Sequence, residues 1–563
     1  MSRSRWTSIT CVLFAGCLGA CATAPEYDTV IRHGTVYDGS GSPGRVADVA
    51  IKRDRVAEVG DLGEARGAIE VSAQGLAVAP GFINMLSHSP RSLMADGHSE
   101  SEIRQGVTLE VFGEASMGPL SDQMKKDDVE RQGDIKYDIT WTTLGEFLDS
   151  LVGRGISPNV ASFVGAATVR IHELGYQNRA PTAQELERMR AHVRRAMEEG
   201  AMGLTTALIY TPGGFATTGE LIELAKVAAQ HGGMYISHMR SEGNRFLEAI
   251  DELLTIARQA GIRAEIYHLK AAGQSNWPKL EHAIQKVEAA QREGLKITAD
   301  MYTYTAGSTG LDAAMPPWVQ EGGYAAWAKR LQDPALRARV RKDMTTPSNE
   351  WENLLMAAGS EGTLLVGFKN EALRHYAGKT LAEVAKLRGN TVMDTAMDLV
   401  IEDGSRVQVV YSLMSEDNVR RQIQLPWVSF GSDGASMATR PPFTNTSTHP
   451  RSYGNFARLL GKYVRDEKVI PLEEAIRRLT SLPAANLAIK DRGRLEPGLF
   501  ADVVVFDPKS MQDHATYDKP HAYATGVQHV WVNGVQVVKA GELTGAKPGR
   551  VVRGPGWKPQ PGS

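Results

Sequence analysis

Residues 232–270 read GGMYISHMRSEGNRFLEAIDELLTIARQAGIRAEIYHLK, and within them one structural unit begins, ends and begins again. GGMYISHMR fits a short buried strand ending near His238. NRFLEAIDELLTIARQAG has the three- and four-residue apolar spacing of an amphipathic helix, closed by Gly261. IRAEIYHLK repeats the strand and brings His268 to the equivalent place.

The unit recurs on both sides. WPKLEHAIQKVEAAQREG reads as the next helix, closed by Gly294, and LKITADMYTYT as the next strand, bearing Asp300 and Tyr304. Upstream, Thr182 and Glu185 fit a capping box before LERMRAHVRRAMEEG, and the strand MGLTTALIY runs to Tyr210. Units of ~30 residues, one strand plus a crossover helix, point to a parallel sheet. A length near ~250 residues plus insertions suits a closed (β/α)8 barrel, in which functional groups sit at the C-terminal ends of strands.

His238 and His268 therefore reach toward one point above the barrel. Either alone would read as a satisfied structural histidine; the repeated placement favours metal ligation. A catalytic zinc takes three protein ligands and keeps a fourth position open. In RQGVTLEVFGEASMGPL the strand VTLEVF runs into Glu114, the leading acidic candidate for the third ligand, although by itself it is an ordinary loop carboxylate. The apolar strand in PWVSFGSDGAS ends at Asp433, which would otherwise be a turn or helix-capping aspartate. Beside a metal, such a carboxylate serves as general base and then as acid. Lys270 and Arg240 lie two residues beyond His268 and His238, on the same side of each strand if the strand extends that far. Both are candidates for holding a substrate carboxylate, Lys270 the stronger.

The ends of the chain read differently. TVIRHGTVYDG, VADVAIKRDRVAEVG and AIEVSAQGLAVAPG alternate apolar and polar residues, as do ADVVVFDP and VQHVWVNGVQVVKAGE, where Asn533-Gly534 marks a hairpin. These segments, 27–80 and 485–553, predict one small β-sandwich built from both termini, with the barrel spanning 81–484. Residues 1–20 form a predicted lipoprotein signal peptide. Arg3 and Arg5 precede an apolar run too short to span a bilayer, and Leu18-Gly19-Ala20-Cys21 resembles a lipobox with Cys21 as the acylated residue. Ala22 in place of aspartate favours the periplasmic face of the outer membrane. All three cysteines, Cys11, Cys17 and Cys21, fall in this segment, so the mature body has neither disulfide nor thiolate ligand. A formal net charge of −2 over 563 residues excludes the strongly basic footprint of a nucleic-acid binder.

APGFINMLSH, RQGVTLEVFGE, LIYTPGGFATTGELIELAKVAAQHGGMYISHMRSEG, YHLKAAG, YTYTAGSTGL, FGSDGA and HPRSYGNFARLL together resemble the D-aminoacylase (N-acyl-D-amino-acid deacylase) branch of the amidohydrolase superfamily, over roughly residues 27–540. The resemblance implies a TIM-like barrel with an inserted segment, around 312–405, and zinc-dependent hydrolysis of N-acyl-D-amino acids. It implies Glu114, His238 and His268 as ligands of one tight zinc, Asp433 as the catalytic carboxylate, and Tyr210 and Tyr304 as hydrogen-bonding partners of the substrate. One departure stands out. In PGFINMLSHS the family pattern of two histidines is reduced to Leu86 and His88, and a leucine cannot ligate. The loss falls on the weaker second metal site, of which His88 is a remnant bordering the cavity or a hydrogen-bonded core residue.

The expected partners are a small N-acyl amino acid or short peptide and, through the lipid anchor, a membrane. The rival readings are a dipeptidase for D-residues or a cyclic amidase of the same superfamily, since fold does not fix substrate. A catalytically inactive, lipid-anchored binding protein is the alternative from another class. Retention of Glu114, both histidines and Asp433 favours the enzyme.

Overall fold

The computed structural model describes residues 25–559, so the signal-peptide and Cys21 expectations lie outside the described residues. Eight short strands carry the central domain: β1 (Phe82–Ser87), β2 (Val107–Phe112), β3 (Asn159–Ser162, continued after Phe163 by Val164–Gly165), β4 (Gly203–Ala207), β5 (Met234–His238), β6 (Ala264–Ile266), β7 (Ile297–Met301) and β8 (Val428–Phe430). Each pairs with its neighbour in parallel. The ring closes where β1 meets the end of β8. There Asp433 donates its backbone N–H to the Leu86 carbonyl (2.9 Å), His88 does the same to Gly434 (2.9 Å), and Ser87 bridges Gly434. The result is the expected (β/α)8 barrel.

Both faces of these strands are buried, which explains why they read as near-continuous apolar runs and not as alternating ones. Ile83, Met85, Leu109, Val111, Ile236 and Tyr267 fill the inside of the ring. Leu204, Tyr235 and Ile266 belong to the layer packed against the helices, among them α1 (Ala166–Leu174), α2 (Ala183–Glu198), α3 (Thr218–Gln230), α4 (Phe246–Ala260) and α5 (Lys279–Arg292). The Thr182–Glu185 capping box forms, and α4 ends at Gly261 in the left-handed conformation.

The termini share one nine-stranded sheet. Its N-terminal and C-terminal parts join where Ala77–Pro80 pairs antiparallel with Val503–Phe506. Asn533 and Gly534, with φ of 50° and 78°, make the predicted hairpin turn between Val527–Val532 and Val535–Lys539. Between β7 and β8, the strands Ala306–Gly310, Thr363–Gly367 and Gln408–Ser412 form a separate antiparallel sheet. With its helices it buries its own core, including Leu311, Trp327, Leu399 and Tyr411. The inserted unit is thus somewhat wider than 312–405. Among the described residues no helix is long and apolar enough to cross a membrane.

Candidate metal centre

Four strand ends deliver the site. Glu114 follows β2, His238 ends β5, His268 follows β6 and Asp433 follows β8. Glu114, His268 and Asp433 have φ of 56°, 34° and 49°. Non-glycine residues rarely adopt this left-handed region, and such strain gathers where surrounding structure holds a functional group in place. The restraints are visible. The Glu114 backbone N–H donates to Thr205 Oγ1 on β4 (3.0 Å), and that of His268 to Asp300 Oδ1 on β7 (2.9 Å). Burial, above all, pushes the Asp300 carboxyl up to about 7.

His238 Nδ1 and His268 Nε2 both converge on Glu114 Oε1, at 3.1 and 3.0 Å. Their ring centroids are 4.5 Å apart at 84°. Burial opposes ionisation of Glu114, yet the hydrogen bonds from His238 and His268 outweigh it and hold the carboxyl well below its usual range. An ionised carboxylate and two imidazoles with ligand atoms within 4.8 Å of one another are a donor set suited to zinc. The surroundings fit as well. Glu242 Oε1 lies 2.9 Å from His268 Nδ1, and Glu242 Oε2 lies 3.7 Å from His238 Nε2, a buried nitrogen without a hydrogen-bond partner among the described residues. A carboxylate behind each ligating imidazole is the usual means of fixing its tautomer and orientation.

Asp433 faces this trio. Its Oδ1 is 2.9 Å from His88 Nε2 and its Oδ2 is 2.7 Å from Arg451 Nη1. Burial raises its pKa, but Arg451, His268 and His88 prevail, and the carboxyl sits at about 2, ionised at neutral pH. His88 Nε2 also lies 3.8 Å from Glu114 Oε2, which places His88 beside the trio. Leu86 is fully buried and points no donor toward the site.

Lys270 reaches the site by another route than strand alternation. The strand stops at Ile266, yet Lys270 Nζ lies 2.6 Å from His268 Nδ1 and donates to Glu242 Oε1 at 2.6 Å. Tyr210 lies beyond the end of β4, with its ring 5.3 Å from that of His238. Tyr304 is placed elsewhere, packed against His449 and under Arg458, with its hydroxyl 3.4 Å from Asp513. Tyr302 takes the position facing the trio, 6.5 Å from the His268 ring. Arg240 is held by Glu252 and by the carbonyls of Gly214 and Ala216. It lines a cavity of about 620 Å³ formed by the N-terminal half of α4, the loops after β5 and β6 and residues 348–357 of the inserted unit; Glu114, His238 and His268 are not among its lining residues.

Three participants escaped the sequence reading. Glu242 sits four residues after His238 in SHMRSEG, and Arg451 lies in the motif HPRSYGNFARLL. Tyr302 is two residues before the tyrosine selected. Arg451 is 3% exposed, and its guanidinium lies 4.7 Å from the Tyr302 ring centroid.

A model of the amidohydrolase family (Amidohydro_3) matches residues 70–538. The D-aminoacylase of Alcaligenes xylosoxydans xylosoxydans is 32% identical over 531 residues, covering 93% of this chain and 97% of that protein. The structure of a D-aminoacylase whose binuclear metal centre is described as activated by one metal and attenuated by the second superposes with a TM-score of 0.78. It is 30% identical, with 94% of this chain and 100% of that one covered. N-acyl-D-glutamate deacylase from Bordetella bronchiseptica, solved with zinc and a phosphonate that mimics the tetrahedral intermediate, gives 0.77 at 28% identity, covering 94% and 99%. In sequence and in fold, the chain belongs to the amidohydrolase family, on its D-aminoacylase branch.

Proposed function

We propose that this enzyme hydrolyses the amide bond of N-acyl-D-amino acids, releasing a carboxylate and a free D-amino acid, with one tightly held zinc. The observation that carries the reading is the convergence of Glu114, His238 and His268 with the ionised Asp433 facing them. The relatives act on this class of substrate, and one was solved with zinc.

Glu114, His238 and His268 would hold the ion, and Glu242 would fix the imidazoles from behind. Zinc bound there supplies Lewis acidity toward an amide carbonyl and brings the pKa of water from 15.7 toward ~7. Asp433 takes the proton from the attacking water at a carboxylate oxygen and passes it to the departing nitrogen, which leaves as an amine. Lys270 and Arg451, each beside the Tyr302 ring, are the cations that would orient the substrate's own carboxylate. Burial, first of all, raises the Tyr210 hydroxyl well above its usual pKa, so it stays protonated as a hydrogen-bond donor.

Leu86 supports a count of one tight zinc. His88, Glu114 and Asp433 still bring three donor atoms together, but without a histidine at 86 they lack the fourth protein donor of the family pattern. The test is metal content measured alongside release of free amine from a panel of N-acetyl-D- and N-acetyl-L-amino acids. Zinc-dependent turnover confined to the D series, with about one zinc retained per chain, is expected. Absence of amide hydrolysis in the zinc-loaded protein, or two tightly held and required zincs, would overturn the reading. We further propose export and acylation at Cys21, which rests on the N-terminal sequence alone.

A further inference from the structure

A second trio of the same make lies in the helical layer outside the barrel. His172 in the last turn of α1 and His192 in the middle of α2 both approach Glu173. His172 Nδ1 is 3.1 Å and His192 Nε2 is 2.9 Å from Glu173 Oε1. The two imidazole centroids are 4.2 Å apart. In the catalytic trio the corresponding values are 3.1, 3.0 and 4.5 Å. We propose that His172, Glu173 and His192 form a second divalent-metal site, of the kind that takes zinc, which staples α1 to α2.

The geometry needs little change to accept an ion. Zinc holds imidazole nitrogen and carboxylate oxygen at about 2.0–2.2 Å, which in a tetrahedron separates ligand atoms by roughly 3.4 Å. The two histidine–carboxylate spacings must open by only a few tenths of an ångström, and all three ligand atoms already lie within 4.8 Å of one another. The carboxylate is already oriented, because Arg188 Nε donates to Glu173 Oε2 at 2.5 Å and leaves Oε1 to face the two rings. Both imidazoles are 23% exposed and the carboxylate 8%, so the trio is shielded but reachable from solvent.

The charge states suit a cation. Burial works against ionisation of Glu173, but Arg188 and the two histidines outweigh it and lower its pKa. Burial lowers the pKa of His192, Glu173 opposes that, and His172 and Arg195 reinforce it, so the ring is predominantly the neutral form that ligates. Arg188 and Arg195 set the upper limit on affinity, since the catalytic trio has no guanidinium bonded to its carboxylate. The second site is therefore the weaker of the two. Its consequence is structural: a ligand that binds only the folded helix pair raises stability by mass action.

The experiment uses the full chain with its catalytic metal loaded. Zinc is titrated into wild type, His192→Ala and His172→Ala, reading bound zinc, unfolding temperature and amide hydrolysis. Wild type is expected to bind one more zinc than either variant, and to gain unfolding temperature with zinc where the variants do not, at equal hydrolysis rates. Equal zinc content in all three proteins at saturation would overturn the proposal. Crystals of wild type soaked in zinc give a check that needs no variant. An anomalous peak between His172 and His192 supports the site, and its absence at full occupancy of the catalytic trio rejects it.

Discussion

Asp433 and His238 belong to one side-chain cluster and should fail in different ways. Asp433→Asn keeps the shape of the side chain and removes the base, so turnover should fall by roughly 10²–10⁴-fold with zinc retained. His238→Ala removes a ligand and should lose metal along with activity. Measuring zinc and rate on the same two purified proteins separates the roles; an Asp433→Asn enzyme with full activity would remove Asp433 from the mechanism. Glu242→Gln makes a subtler case. It keeps a hydrogen-bond acceptor beside His268 Nδ1 but loses the charge that orients both imidazoles and pairs with Lys270. Zinc affinity should drop by about 10–100-fold, with part of the activity recovered at excess zinc. The convergence of Glu114, His238, His268 and Asp433 was legible in the sequence because each stands at the end of a recognisable strand. Glu242, Arg451 and Tyr302 could not be ranked that way, since Glu242 and Tyr302 enter the site from loops and Arg451 from the first residue of a helix, Arg451–Arg458, whose placement sequence periodicity does not describe. The same limitation explains Tyr304: in YTY, alternation alone does not say which tyrosine faces the metal.

At the scale of elements, the strands proved shorter than their apolar runs suggest. MGLTTALIY is strand only to Ala207 and IRAEIYHLK only from Ala264 to Ile266. After β6 the chain leaves the sheet where His268 turns left-handed, as Glu114 and Asp433 do after β2 and β8, and apolarity does not encode that turn. Gly113, just before Glu114, shows how tightly the turn is packed: a Cβ there would lie 1.7 Å from Tyr267 Oη. Gly113→Ala should therefore cost about 1–3 kcal/mol through overpacking. Because the clash displaces the Glu114 backbone, zinc affinity should fall too. The paired readouts are the unfolding temperature and a zinc titration; an unchanged affinity in a destabilised protein would show that Glu114 is positioned independently of this contact.

For the whole molecule, repetition made the barrel legible and alternation made the terminal sheet legible. The inserted unit was visible only through family resemblance, because its short strands come from segments far apart, with Thr363–Gly367 and Gln408–Ser412 separated by helices. The two termini hold each other. Ending the chain at residue 500 would strip Val503–Phe506, Val527–Val532 and Val535–Lys539 from the shared sheet and remove Val551 from its bridge to Val160 on β3. That truncation should give no soluble, folded protein, as judged by yield and circular dichroism. Cys21→Ser tests a separate property: fatty-acid labelling and membrane association should vanish while hydrolysis by the released protein persists.

The seam between β1 and β8 sets an order of events. His88 and Asp433 are 345 positions apart, and they touch only where the first and last strands of the ring meet. A polypeptide made from its N-terminus presents Glu114, His238 and His268 well before Asp433 exists. A partly made chain thus carries the three proposed ligands while still lacking Asp433, the proposed proton carrier. Contacts of such long sequence separation form late, because their loop entropy must be met first. Amide cleavage therefore reports completion of the circle, and a newborn chain stays chemically silent toward its substrate until the last strand has docked.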